Sequence, residues 1–297
     1  GDGQVDIGSE SEMVMIGGSL GGIMSMIMSG LEPAIAASAP IAGGGGFGDM
    51  GIRTTQGGAI EGFVLRAMGP FFAGTLDSET GTLALETIVI DLNSKRVLPL
   101  GSVEGVSTWD TILVENLKSG ELGCGYVNEA GQYRAAIAAD AGDPIEIRVY
   151  AGPQLAGGQE CELREGAQLK VSVEQFGETI PYQDQTFNAG EPLVSIVDGL
   201  GLRRCHPDLR RFLGLGQLVL DPSDPVSFAR SAQREPIYYP GTEEYTGTHV
   251  LQITTLGDTS VPATSGVTFG RALGTIDYLS DDERYGTSAN QMLIDTY

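Results

Sequence analysis

At 297 residues, with 41% hydrophobic and 19% charged residues, the chain can bury a sizeable core and has a globular rather than a disordered composition. Its 39 Asp and Glu against 17 Lys and Arg leave a net charge of −22, which argues against nucleic acid or anionic lipid as a partner. No run reaches the roughly 18 consecutive apolar residues that a membrane-spanning helix needs, and residues 1–12 are polar and acidic, without the basic start of a signal peptide.

The chain opens on Gly1-Asp2-Gly3-Gln4-Val5-Asp6. This has the spacing of the second half of a D-x-D-x-D-G-x-x-D calcium loop. Asp2 and Asp6 are therefore candidate Ca2+ ligands, and the competing reading is an acidic Gly turn ahead of the first strand.

Met13 to Ile16 is a short apolar, β-like run. It leads into Gly17-Gly18-Ser19-Leu20-Gly21-Gly22, and a helix-compatible run, Ile23 to Met28, follows. The pattern is G-x-S-x-G between a strand and a helix. A serine on so tight a turn needs neighbours with almost no side chain, here Gly17 and Gly21, so that strand and helix can approach. Ser19 Oγ then projects beyond the sheet edge, and the N–H of Leu20 points where an oxyanion would form. In a chain with 44 Gly the bare pattern is cheap, and the flanking strand and helix carry its specificity. Met24, Met26 and Met28 are read as buried positions of that helix.

Pro33 to Ala42 reads as a second strand, which makes strand, helix and strand a βαβ unit with parallel strands. Gly57 to Met68 fits a short amphipathic helix or lid, with Pro70-Phe71-Phe72 as lid-like apolar surface. Phe63, Phe71 and Phe72 fit either an acyl pocket or core packing. From Leu83 to Gln175 the pattern has period two. Strands are expected over Leu85–Ile90, Asp110–Asn116, Gln132–Ile137, Pro144–Tyr150 and Leu169–Glu174, in an antiparallel β-sandwich. Trp109, the single tryptophan, is expected to pack inside it. Cys124 and Cys161 are placed to pair, leaving Cys205 over, although three free thiols fit the count equally well.

Beyond Gly190, helices are expected over Pro207–Leu213 and Val226–Gln233, the latter started by Asp221-Pro222-Ser223-Asp224-Pro225. Thr248–Leu256 reads as a strand that runs into Gly257-Asp258-Thr259-Ser260-Val261-Pro262. Ala263–Leu273 reads as the helix after it, and Gln291–Asp295 as a last strand. A carboxylate at the carboxyl end of a parallel strand, Asp258, can orient a histidine through Nδ1–H. Neither histidine suits it. His249 starts the strand that Asp258 follows, and His206 stands in the middle of the chain with too sparse a set of neighbours (Cys205, Asp208) for a metal site.

The elbow around Ser19 and the G-D-x-x-V-P stretch at Asp258, in the order Ser then Asp, resemble the α/β-hydrolase superfamily and its secreted esterases and lipases. The resemblance covers about residues 10–75 and 245–297. Glu129–Arg134 with Ala141–Ile147 resembles a transthyretin-like or immunoglobulin-like sandwich. The expected fold class is α/β. Residues 1–82 would be the first part of a parallel-sheet hydrolase core and 83–185 an inserted β-sandwich, with 186–245 a helical and irregular cap or linker and 246–297 the second part of the core. The resemblance implies acyl transfer from a small ester or lipid to water, with Ser19 as nucleophile, Asp258 as the acid and Leu20 N–H in the oxyanion hole, and with no organic cofactor. It also implies a base and further strands that this sequence does not supply, hence an additional chain or further segments, and it suggests an extracellular or cell-envelope setting. The competing reading is a non-catalytic extracellular structural or binding protein on a degenerate hydrolase core.

Overall fold

A computed structural model describes residues 12–89, 97–157, 161–204, 206–238, 247–277 and 279–296. It is a mixed α/β structure with one three-stranded parallel sheet and several antiparallel sheets. The chain divides into two compact units, Gly1–Gln56 with Leu213–Tyr297, and Gly57–Phe212. The calcium-like stretch with Asp2 and Asp6, and Cys205, lie outside the described residues.

The first unit starts with β1 (Met13–Gly18), α1 (Leu20–Leu31) and β2 (Ile35–Ile41). β1 and β2 pair in parallel, Val14 opposite Ala37 and Gly18 opposite Ile41. α1 buries Gly22, Ser25, Met26, Ser29 and Gly30, the i, i+3, i+4 stripe of a helix lying on a sheet. Met24 falls outside that stripe and is exposed, contrary to the sequence reading. α2 (Phe47–Arg53) follows a glycine-rich crossing.

The second unit begins with a helical segment over residues 57–68 that contains a π-turn at Ile60–Val64. Its longer strands are β3 (Phe71–Asp77), β4 (Thr82–Ile88), β5 (Val97–Val103), β6 (Thr111–Asn116), β7 (Leu122–Tyr126), β8 (Gln132–Ala136), β9 (Ile145–Tyr150) and β10 (Leu169–Val173). They form two antiparallel sheets, ordered β5-β4-β3-β8 and β10-β9-β6-β7. The inward positions of both share one core, with Phe72, Leu83, Leu85, Ile112, Ile145 and Ile147 at its centre.

Phe71 and Phe72 open strand β3 with both rings buried, which is the core packing expected of them and not a lid-like surface. The apolar pair ahead of Gly74 hid an alternation that continues to Leu76. β5 and β7 also escaped the sequence reading. Pro99 interrupts the one and two glycines the other, and both lie at sheet edges, where a missing donor or side chain is tolerated. Trp109 is exposed at a turn with φ 70° rather than packed inside. Cys124 and Cys161 form a disulfide. It holds Cys161, with Leu163 and Ala167 beside it, over Leu113 and Tyr150 on the outer side of β6 and β9.

The helical segment 57–68 belongs with this unit because Leu202 N–H donates to Ala67 C=O and Gly201 N–H to Gly69 C=O. The unit boundaries thus fall at 56/57 and 212/213, where the sequence reading divided the chain at 82/83, 185/186 and 245/246.

α3 (Pro207–Leu220) is longer than expected and crosses into the first unit. α4 (Pro225–Gln233) is capped by Asp224, β11 (His249–Val250) joins β2 in parallel, and α5 (Ala263–Leu273) ends at Gly274. Met26, Ala229, Ala232, Phe269 and Leu273 form the core between α1, α4 and α5. Residues 291–295 are helical, within α6 (Ala289–Thr296), not a strand. Ser288 Oγ accepts the Gln291 N–H at 3.1 Å and Gln291 Nε2 donates to Asp295 at 2.7 Å. Ser288-x-x-Gln291 is a capping signature that the short apolar run obscured.

Candidate active site

Ser19 sits between the last residue of β1 and the first of α1 with φ 54° and ψ −119°. A side-chain-bearing residue at positive φ is strained by about 1–3 kcal/mol and persists only where its surroundings hold it. Here they do. Ser19 N–H donates to Ile41 C=O at 3.0 Å, tying the turn to the end of β2, and Ile23 N–H donates to Ser19 C=O at 3.0 Å as the first bond of α1. Leu20 N–H therefore precedes the helical ladder and is one of the helix's unspent donors. Ser19 and Leu20 are both exposed.

The glycines divide their roles differently from the sequence expectation. A Cβ on Gly17 would lie 2.1 Å from the Gly21 carbonyl oxygen and 2.5 Å from Ser25 Oγ, so the strand can turn into the helix only if position 17 has no side chain. A Cβ on Gly21 would meet nothing within 4 Å, whereas one on Gly22 would lie 2.5 Å from Ile41 O. The close approach after the serine thus belongs to Gly22. Its signal was the doubled glycine, which leaves two registers for the same job.

Asp258 lies beyond the third strand of the same sheet. The ladder runs past β11: Leu251 N–H donates to Ser38 C=O, Ile253 N–H to Pro40 C=O and Ala42 N–H to Ile253 C=O, each at 2.9 Å. The regular strand is nevertheless shorter than Thr248–Leu256, because after Val250 only an isolated bridge at Ile253 remains. Asp258 follows Gly257, which has φ 79°. Its Oδ1 accepts the N–H groups of Ser260 at 2.8 Å and Val261 at 3.0 Å, and no bond to Oδ2 is present among the described residues. Thr54 Oγ1 to Ser260 C=O at 2.7 Å and Thr55 N–H to Thr259 C=O at 2.8 Å pin this loop to the end of α2. Ser19 and Asp258 thus both stand at the carboxyl end of the sheet, on its first and third strands with β2 between them. This is where open parallel sheets present reactive groups.

A third group escaped the sequence reading. Asp224, fully buried, accepts N–H bonds from Gly46, Phe47, Val226 and Gln217 Nε2 at 2.7–3.0 Å. It fixes the crossing after β2 on the N-terminus of α4. Only its place before Pro225, as a helix cap, was legible.

Among the described residues no histidine stands at this end of the sheet. His249 pairs with Ala37, near the amino end. His206 belongs to the second unit, its Nδ1 3.2 Å from Asp208 Oδ2. Among the described residues no group of His, Cys, Asp and Glu is placed to hold a metal ion, and no helix is long and apolar enough to cross a membrane. A scan against protein-family models, a search of curated proteins and a search of solved structures each return no match to the chain.

Proposed function

We propose that the first unit is the core of a serine hydrolase of the α/β-hydrolase type, acting on a small ester or lipid. The strained Ser19 backbone between a parallel strand and a helix carries this reading, because such a turn holds the hydroxyl off the end of the sheet with helix donors beside it. In the proposed reaction Ser19 Oγ attacks the ester carbonyl carbon while a base takes its proton. The carbonyl oxygen gains charge opposite Leu20 N–H, the alkoxide leaves with that proton, and water releases the acid by the reverse route. Asp258, through Oδ2, would orient the base. That base, a histidine, comes from a further segment or a second chain that completes the core. No organic cofactor is invoked, and Asp2 and Asp6 remain the candidate Ca2+ ligands. The Cys124–Cys161 disulfide supports an oxidising setting, extracellular or in the cell envelope.

The test is turnover of a p-nitrophenyl ester by the native protein. Ser19→Ala should remove it, and Asp258→Asn should lower it by a factor of about 10³–10⁴. That neither His206 nor His249 stands beside Asp258 favours one other reading, a non-catalytic extracellular binding or structural protein on the same scaffold. No turnover in the wild type would support that reading, and turnover unchanged in Ser19→Ala would overturn Ser19 as the nucleophile.

A further inference from the structure

In the second unit the helical segment over residues 57–68 leaves a groove of about 290 Å³ beside its π-turn. The walls are apolar. The rings of Phe63 and Phe212 stack with centroids 5.8 Å apart, and Leu200, 55% exposed, lines the groove with Ala67. Gly62, within the π-turn, lines it too, and a Cβ there would meet nothing within 4 Å. No packing contact demands a glycine at this position, in a helical segment that disfavours one; its effect is to leave the groove open. Turns of this kind are frequent at functional sites. A second groove, about 320 Å³ and polar, is lined by Tyr182, Gln183, Asp184 and Gln185. Arg66 and Asp198 line both grooves, so they stand where the two meet. Among the described residues Arg66 has no ion pair or hydrogen bond. Asp198 uses one oxygen, Oδ1, which accepts the Ala141 N–H at 2.6 Å. Asp140, the third charged residue of the apolar groove, already faces Lys118, Oδ2 to Nζ 3.5 Å.

We propose that the two grooves together bind a free aromatic α-amino acid, with its ring in the apolar groove and its two charges at the junction. The ring enters between Leu200 and the Phe63–Phe212 pair, where ring against ring adds to the burial of apolar area. The carboxylate pairs with the Arg66 guanidinium, whose planar fork suits it. The ammonium meets Asp198 Oδ2, on the side where Asp184 adds negative charge. Charge selects this occupant. A simple amine leaves Arg66 without a partner, a simple carboxylic acid leaves Asp198 without one, and a neutral aromatic leaves both. In a longer peptide the two terminal charges move apart by about 3.5 Å per residue, whereas Arg66 and Asp198 share one junction. The proposal does not rest on the chemistry of Ser19.

Isothermal titration calorimetry of L-phenylalanine into the native protein tests it, with no ester present. One molecule should bind per chain. Hydrocinnamate, which lacks the ammonium, and 2-phenylethylamine, which lacks the carboxylate, should each bind about tenfold more weakly or worse, as should phenylalanine to Arg66→Gln and to Asp198→Asn. Asparagine keeps the acceptor for the Ala141 N–H, so that loop stays closed. Gly62→Leu fills the groove from a position with open space around it, and should abolish binding while the thermal unfolding midpoint holds. No binding to the folded native protein overturns the proposal. So does binding that survives Gly62→Leu or either charge substitution, and so does an amine or acid that binds as tightly as phenylalanine.

Discussion

On the outward side of β6, β9 and β10, Glu115 pairs with Arg148, Arg148 with Glu146, and Glu146 with Ser172. Where that side carries apolar groups, at Leu113 and Tyr150, Leu163 and Ala167 cover them and the Cys124–Cys161 disulfide holds that segment there. On the bare side of β1, β2 and β11, Val14, Ile16 and Leu251 meet nothing comparable. The antiparallel unit satisfies both faces of its sheets from its own sequence, by alternation and by a clasped loop. The parallel unit satisfies one. The difference shows in the residues themselves, because strands covered on one side alternate and strands covered on both are apolar throughout. β1 is apolar throughout.

The comparison can be broken most severely at Gly17. In Gly17→Val the new side chain runs into the Gly21 carbonyl, with the first carbon already only 2.1 Å away. The first unit should lose more than about 4 kcal/mol. Hydrogen exchange should show β1 and β2 unprotected while β6 and β9 keep their protection, and equal loss in both would mean the units do not fold separately. Cys161→Ser removes the clasp across 37 residues and should cost the second unit about 2–4 kcal/mol in denaturant unfolding. It should also raise binding of a hydrophobic dye, as Leu113 and Tyr150 uncover. Asp224→Ala orphans the Gly46, Phe47 and Val226 N–H groups. The first unit should then lose about 2–3 kcal/mol by thermal unfolding, with the second unit unmoved.

The smallest effect separates the units by pH. Lys118, Asn116 and the Asp140 amide donate to Asp143 and hold its carboxyl at about 2, below the ordinary 3.8. A lowered native pKa means that the stabilisation is present above the unfolded value and is lost as the pH falls from about 4 to 2. Lys118→Met should move the acid-unfolding midpoint of the second unit upward by a few tenths of a pH unit and leave the first unit in place, which far-ultraviolet circular dichroism against pH will report.

Much of this was legible in the residues. The βαβ unit, five of the sandwich strands and the helix at Ala263–Leu273 follow from period and punctuation, because those segments are long or cleanly alternating. Gln291–Asp295 did not, since a short apolar run serves strand and helix alike until its cap is read. Phe71 and Phe72 were legible as core residues but not as a strand, because a strand's first two residues carry no period. At the candidate site, the turn at Ser19 and Leu20 between strand and helix, and the place of Asp258 after a strand, were legible from local pattern. Gly22 and Asp224 were not, because their partners, Ile41 and the Gly46–Phe47 amides, lie across the fold rather than along the chain.

Under the proposed function the Ser19 turn presents an activated nucleophile. The most direct measurement is peptide mass spectrometry of the native protein after treatment with a fluorophosphonate. A single phosphonyl adduct is expected, on the peptide that contains Ser19, and it should be lost in Ser19→Ala. A folded native protein that carries no adduct there, or whose adduct survives that substitution, would contradict it.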